Sequence, residues 1–518
     1  MGGILKAGFL SAERVFLFLI VLVFVIVGIL PLLGLFVEGW GHYKSLMLSK
    51  NTWVLLEHSI FLASCTTLAA LAAGVPLGIL LGKTDLPCRL LLGFIFAFPL
   101  ILPLVITAIS WASIVAGNNA SSWFFGPIGC ILVHFTVFMP IVLLLVMAAV
   151  ANVHPSLEEA ARLVTRWPAI VQHILIPLIR PSILLAAILV FLMSLGDISV
   201  PLFLRYSVFP VETLTQFSSF YNFGGAVAGS VPLICITCAV LFLEKGALGG
   251  HWLPLRAIWG QEGQITIRLG RVRWGMAILV GAFAFATVVL PILALIAQSA
   301  SLSAYKLALE RGGDSILRSF FYAIVGASVL TFVGFFLGYI IHHKTFRFYR
   351  LLDFLTVFLF ALPGAVLGVG LIHWWNRPWI PWVYGTPLIV VLGLFGQYIA
   401  LPSRVTVAAL SGIPLSMEDV ARTMGVSWLR RIVGIVIPLA KRGLIAGWLV
   451  GFIFCLRDTG VAMLVYPPGY DTLPIRIFTL MANGSETLIA ALAVLMVVAT
   501  LIPFAMCGFF FTGRKVQT

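Results

Sequence analysis

Two stretches of this chain gather charge on helix-forming residues: SLEEAARLVTRWPAIVQHILIPLIRP, Ser156 to Pro181, and SMEDVARTMGVSWLRRIVGIVIPLAKR, Ser416 to Arg442. In the first, Glu158, Glu159, Ala160, Ala161 and Arg162 follow one another, with Thr165 one turn on. In the second, Glu418, Ala421, Arg422 and Gly425 stand at i, i+3, i+4 and i+7, one face of a helix. Acid, small residue and base in that order suit docking: the small side chains let a partner surface come close, and the charges fix its register. Catalysis has no foothold, because neither stretch brings a nucleophile–base pair or a metal-ligand spacing of His, Cys, Asp and Glu. Downstream, both stretches reach Ile-Pro-Leu, and Pro177 or Pro438 stops or kinks a helix. Each therefore predicts a short helix, a turn and a second helix lying on one face of the molecule.

The solvent follows from the rest of the composition. Of 518 residues, 61% are hydrophobic and 10% charged, and the mean hydropathy is +1.12. Apolar runs of about 20 residues without alternation mark membrane helices, the form that satisfies every backbone polar group internally. The pattern predicts an all-α polytopic membrane protein with twelve spans, near 15–37, 58–82, 90–116, 128–151, 183–204, 226–244, 274–300, 319–341, 351–376, 387–411, 444–466 and 487–511. The first run is too long for a signal-peptide core, and no A-x-A site follows it, so it is expected to be retained. With the N-terminus in the cytoplasm, 22 of the 32 Lys and Arg residues fall on cytoplasmic segments and 8 on the opposite side. This asymmetry orients the chain with both termini inside. It also accounts for the formal charge of +14, so no nucleic-acid partner is expected.

The two charged stretches lie about 260 residues apart, and other markers repeat at that offset. GVPLG at Gly74–Gly78 matches GFFLG at Gly334–Gly338; Leu102-Pro103 matches Leu362-Pro363; Asp197 matches Asp458; Glu212-Thr213-Leu214 matches Asp471-Thr472-Leu473. Markers in one order at one offset argue for duplication. Residues 1–244 and 274–518 are read as two homologous halves of six spans, with charged loops at 152–182 and 412–443. Six is an even number, so the halves run parallel across the membrane. The basic, Gly-bearing stretch 245–273 is expected to be a cytoplasmic linker, with Trp252 and Trp259 at the membrane interface.

The charged loops resemble the EAA motif of permease subunits in bacterial binding-protein-dependent ABC importers: Glu-Ala-Ala, three residues, Gly, nine residues, Ile-x-Leu-Pro. The second copy is in register with Asp419-Val420-Ala421, Gly425 and Ile435-Val436-Ile437-Pro438. The first has the literal Glu159-Ala160-Ala161, but Thr165 stands where glycine belongs and Pro177 arrives one residue early. A threonine cannot take the backbone angles of glycine as freely, which predicts unequal turns in the two loops. The resemblance extends over nearly the whole chain and points most directly to fused ferric-iron permeases, with relatives for thiamine, phosphonates, polyamines and sulfate. It implies that Glu158, Glu159, Ala160, Ala161, Thr165, Glu418, Asp419, Ala421 and Gly425 couple to two ATPase subunits at the cytoplasmic face. It further implies that a periplasmic binding protein delivers the solute. ATP and magnesium would sit on those ATPase subunits, with no cofactor or metal on this chain. The rival class is a secondary transporter of the major-facilitator type, which also has twelve helices in two halves.

Ionisable groups near the membrane interior are costly and so mark functional candidates. Asp197, Arg457 and Asp458 fall at the outer half of the fifth span in each repeat, with Glu212, Asp471, Tyr206 and Tyr470 nearby in sequence. Hard carboxylate and phenolate oxygens suit Fe³⁺. The competing reading is that Arg457 pairs with one of these acids to stabilise the bundle. His373 and Arg404 are read as helix-packing or interface residues. GILLGKT, Gly78 to Thr84, is one residue short of a phosphate-binding loop and follows an apolar helix, so it is rejected. Cys235 and Cys238 are read as small residues on a packed helix face.

Overall fold

The computed structural model describes residues 2–39, 50–115, 121–220, 222–248 and 266–512. Trp252 and Trp259, with most of the expected linker, lie outside the described residues. The described chain is all-α. Among the described residues, eight helices are long and apolar enough to cross a membrane, or up to eleven if each of three bent pairs counts as one span. The twelfth expected segment, 487–511, coincides with the helix Glu486–Thr512.

The repeat is visible element by element. Lys50–Lys83 corresponds to Leu302–His343, Pro155–Arg162 to Leu415–Thr423, and Ile176–Gly196 to Ile437–Arg457. The third span of each half is not the continuous helix expected at 90–116 and 351–376. It is two short helices, Arg89–Ile101 with Leu104–Val115 and Tyr349–Ala361 with Gly364–Trp375, each pair bent by 107°. The corner is the Leu-Pro pair in both halves. Leu102 and Leu362 are extended, with ψ of 143° and 141°, because a residue before proline is pushed out of the helical region.

Four other prolines are handled differently. Wide π turns occupy Val25–Ile29, Val171–Leu175, Phe285–Val289 and Ile432–Val436. Each is followed by a residue whose N–H reaches five residues back: Leu30 to Val25, Ile176 to Val171, Leu290 to Phe285 and Ile437 to Ile432. The next residue is proline every time: Pro31, Pro177, Pro291 and Pro438. Proline has no N–H and its ring crowds the carbonyl four residues back. A π turn moves that carbonyl aside without ending the helix. Hence Pro177 and Pro438 do not end in a helix lying on the surface, as expected. They sit within continuous helices, Trp167–Gly196 and Trp428–Arg457, each of 30 residues. The expected fifth spans, 183–204 and 444–466, therefore begin and end earlier in the chain.

Contacts divide the chain into two compact units that do not follow its order. One holds the described residues within 1–41, 317–472 and 505–518; the other holds those within 42–316 and 473–504. The first helix of each sequence half thus sits with residues of the other half. In the first unit, Gly28 lies against Leu359, and Gly370 against the carbonyl of Pro31. In the second, Phe283 meets Phe96 with ring centroids 5.9 Å apart.

The paired glycines of the repeat are close-approach positions. A Cβ on Gly74 or Gly78 would lie 2.7 Å from Val142 Cβ or Val146 Cβ. In the other unit, a Cβ on Gly334 would lie 3.0 Å from the Ser403 nitrogen, and one on Gly338 2.7 Å from the Ser403 oxygen. Without a hydrophobic drive between helices in lipid, such small-residue contacts carry the packing. Gly338→Leu is expected to destabilise the chain by ~1–3 kcal/mol through overpacking. Gly281→Leu, where nothing among the described residues lies within 4 Å of the added carbon, is expected to be neutral. Thermal unfolding in detergent, followed by size-exclusion fluorescence, checks the contrast.

Candidate functional site

Each charged loop begins with a short helix whose first acid is turned inward. In Pro155–Arg162, Glu158 is buried and pairs with Lys83 Nζ at 2.7 Å, the two side chains being 1% and 3% exposed. Lys83 is the last residue of the helix Lys50–Lys83. In Leu415–Thr423, Glu418 accepts from Tyr339 Oη at 3.0 Å and meets His343 Nε2 at 3.1 Å. His343 ends the helix Leu302–His343. The two anchors are the same device at repeat-related positions, Lys83 in one half and His343 in the other. Burial alone would raise the Glu418 carboxyl, but the hydrogen bonds and charge of His343, with Tyr339 and Arg431, outweigh it and hold its pKa below the ordinary value.

With Glu158 and Glu418 committed inward, the next residues point out. Glu159, Ala160 and Asp419 are exposed, Ala161 is half-buried and Ala421 is buried. Around them lies an exposed apolar surface of Leu157, Leu163 and Val164 on one loop and Met417, Val420 and Met424 on the other. Sequence reasoning put all the acids in one docking role; the structure separates two anchors from two exposed charges. Lys83, Tyr339 and His343 were missed. The signal available for them was position, since Lys83 and His343 stand at the same place in the two halves.

The unequal turns are present. Gly425 has φ +81°, and the Val426 N–H reaches back to the Ala421 carbonyl at 3.1 Å. This is a left-handed helix cap of the kind glycine permits. The first loop closes instead with Thr165 N–H to the Ala161 carbonyl at 2.9 Å. It reaches Trp167 one residue sooner than the second loop reaches Trp428. GILLGKT forms the end of the helix Lys50–Lys83, not a phosphate loop.

The carboxylates of the fifth spans are occupied by their own units. Asp197 Oδ2 meets His134 Nε2 at 3.0 Å and accepts from the Val200 N–H at 2.9 Å, while Oδ1 accepts from Ser199 Oγ at 2.8 Å. Asp458 Oδ1 accepts from Tyr398 Oη at 2.7 Å, and Oδ2 from the Ala462 N–H at 2.9 Å. Each aspartate ends a long helix and caps the short helix after it, Ser199–Phe203 or Ala462–Val465. Arg457 lies 5.1 Å from the Phe454 ring centroid. The remaining candidates do not converge. Glu212 accepts from Gln216 at 2.8 Å, Tyr206 stacks on His58 at 5.1 Å, Asp471 pairs with Arg318 at 3.4 Å, and the Tyr470 carbonyl accepts from Tyr322 at 3.4 Å. Arg404 pairs with Asp353 at 2.9 Å, and His373 packs against Gly34. Among the described residues, no three His, Cys, Asp or Glu side chains are grouped to hold a metal ion.

Comparison with known proteins is consistent with this layout. Residues 331–514 match the family of binding-protein-dependent transport system inner membrane components. The FbpB 1 protein of Haemophilus influenzae is 24% identical over 382 residues, 70% of this chain and 60% of its own length. The ferric transport system permease protein FbpB of Actinobacillus pleuropneumoniae is 24% identical over 375 residues, 69% of this chain and 54% of its own length. This chain thus spans little more than half the length of those relatives. The spermidine/putrescine transport system permease protein PotC of Haemophilus influenzae is 27% identical over 180 residues, 35% of this chain and 68% of its own length.

The Lys83–Glu158 pair gives a stability prediction. Lys83→Met leaves a buried charge unpaired and is expected to cost ~3–5 kcal/mol, whereas Lys83→Met with Glu158→Leu recovers most of it. For Glu418, the lowered pKa means that its contribution is fully present above the ordinary carboxylate value of 4.5 and is lost as pH falls through the lower folded value. Glu418→Gln is expected to flatten that acid limb of the stability–pH curve. Thermal unfolding of the variants across pH measures both effects, and a Lys83→Met protein as stable as the parent would remove the anchoring argument.

Proposed function

We propose that this chain, whose residues 331–514 match the family of binding-protein-dependent transport system inner membrane components, is the permease of an ATP-driven importer in a bacterial inner membrane. It takes a small solute from a periplasmic binding protein to the cytoplasm, with ferric iron as the first cargo to test. The observation that carries the reading is the pair of matched short helices, each locked to the end of a long helix by an inward-turned acid and each displaying an exposed acid beside an apolar surface. Two ATPase subunits holding ATP and magnesium would grip these surfaces. ATP and loaded binding protein move such a permease between inward- and outward-facing states only through their different affinities for the two.

The names of the FbpB relatives support iron, and that of the PotC relative keeps a polyamine as the alternative; phosphonate, thiamine and sulfate are further candidates. The rival secondary transporter requires an ion-coupling carboxylate free to titrate deep in the bundle. Asp197 and Asp458, the carboxylates at the ends of the fifth spans, are engaged as helix caps, which favours the ATP-driven reading.

Accumulation of radioactive ferric iron, in cells lacking other iron uptake and supplied with the cognate subunits, tests the proposal. Glu159→Lys with Asp419→Lys changes two exposed side chains, so the protein is expected to remain folded while uptake falls by at least about tenfold, the equivalent of ~1.4 kcal/mol of docking. Uptake that persists without any ATPase subunit would overturn the class. ATP hydrolysis by the assembled complex without iron uptake would overturn the cargo alone.

A further inference from the structure

A cavity of about 540 Å³ opens within the unit that holds residues 42–316 and 473–504. It lies between Leu104–Val115, Ser199–Phe203, Leu290–Gln298, Leu473–Leu480 and the start of Glu486–Thr512. Arg205, Gln298 and Glu486, at the ends of three spans, place it at the end of its unit opposite the charged helix Pro155–Arg162. Its wall is largely apolar and includes Ile109, Phe125, Phe203, Met481 and Ile489. That size and lining match a site for a small organic molecule. A bare ferric ion would want several hard oxygen ligands, and the lining holds a single carboxylate.

The polar groups of the lining are ordered. Ser113 Oγ donates to Gln298 Oε1 at 2.5 Å, and Gln298 Nε2 donates to Glu486 Oε2 at 3.2 Å. The amide is thereby fixed, and among the described residues the other Glu486 oxygen accepts no hydrogen bond. Opposite in charge, Arg205 stands 6.0 Å from the Phe125 ring centroid, with no carboxylate among the described residues at ion-pair distance. Its backbone is in the left-handed region, at φ +56°. The turn is closed by the Tyr206 N–H on the Pro201 carbonyl at 2.9 Å, and glycine is the usual residue at such a position. Arginine at this position carries a backbone cost that glycine would not.

We propose that this cavity binds a small organic zwitterion, with its anionic group on Arg205, its ammonium on Glu486 and its apolar body against Phe125 and Phe203. Such a molecule is either a free solute or the headgroup of phosphatidylethanolamine. The proposal goes beyond the transport reading and rests on it only for calling this face the outer one.

The test uses the full chain in nanodiscs of phosphatidylglycerol, without ATPase or binding protein, and tritiated 6-aminohexanoate as probe. Saturable binding is expected, with hexanoate and hexylamine each competing about tenfold more weakly, one charge contact being lost. Arg205→Gly should weaken 6-aminohexanoate and hexanoate by about tenfold, spare hexylamine, and melt no lower than the parent because glycine accepts the left-handed backbone. Glu486→Gln should do the reverse, weakening the amine-bearing probes and sparing hexanoate. Adding phosphatidylethanolamine separates the two sources: displaced probe assigns the headgroup, retained probe the free solute. No saturable binding, or equal binding of all three probes that neither variant changes, overturns the site. Because the assay involves no transport, a failed uptake experiment leaves this result standing, and the converse holds.

Discussion

Every backbone N–H and C=O inside a bilayer must find a partner within the protein, because hydrocarbon offers none. Most of what is distinctive in this chain is a response to that constraint. Pro31, Pro177, Pro291 and Pro438 each remove a donor from a helix, and each is preceded by a π turn that keeps the helix continuous. Where the chain turns instead, at Leu102-Pro103 and Leu362-Pro363, the bend is 107° in both halves. Where the long helices after the charged loops stop, Asp197 and Asp458 supply the acceptors that the next short helices need. These aspartates look like cargo ligands in the sequence because an acid near a span is expensive. The expense is met by donors on the fourth span: His134 in one half and Tyr398 in the other.

The repeat shows which parts of such a device tolerate exchange. The acid is retained, and its partner varies with the space available. Lys83 and His343 occupy the same register yet differ in size and charge; Tyr339, one turn before His343, shares Glu418 with it. His134 and Tyr398 differ by one helical turn and present a donor to an equivalent carboxylate. Thr165 and Gly425 close the two turns in different ways, and the second loop uses one more residue to do so. Equivalent backbones are therefore held by non-equivalent side chains. The two charged loops are alike in position and anchoring, and unlike in the surface they display.

Composition and period were enough to read membrane helices, duplication and the placement of both charged loops, because these are properties of long segments. The glycine pairs served in the sequence only as markers of the repeat; their close approach to Val142, Val146 and Ser403 emerges from the packing. Hydropathy could not distinguish a straight apolar segment from one bent at Leu102-Pro103: both halves of the bend are equally apolar. It also placed the start of the fifth span too late, because Trp167–Leu175 and Trp428–Val436 carry the polar residues of a helix end. The exchange of first helices between the compact units has no local signature at all. It is decided by which faces pack, and residues 2–39 are apolar on most faces. Orientation within the loops was hidden for a related reason. Glu158 and Glu159 are chemically alike, and only the position of Lys83 decides which of them turns inward.

The anchors and the caps lie at opposite ends of one mechanical path in each unit. A load applied to Pro155–Arg162 or Leu415–Thr423 meets a long helix in two ways, through the inward-turned acid to Lys83 or His343 and through the chain itself. Along the chain, a short turn leads into Trp167–Gly196 or Trp428–Arg457, 30 residues each, or about 45 Å of helix. At the far end sit Asp197 and Asp458, tied to the fourth span by His134 and Tyr398. The π turns lie within the first three turns of these helices, at Val171–Leu175 and Ile432–Val436. There the regular ladder is already widened, and a change of angle costs less than it would in an unbroken helix. A displacement at the short helix can then tilt the long helix as a rod about that point, moving its capped far end while the helix stays continuous. The same prolines that threaten the helix give it a place to bend.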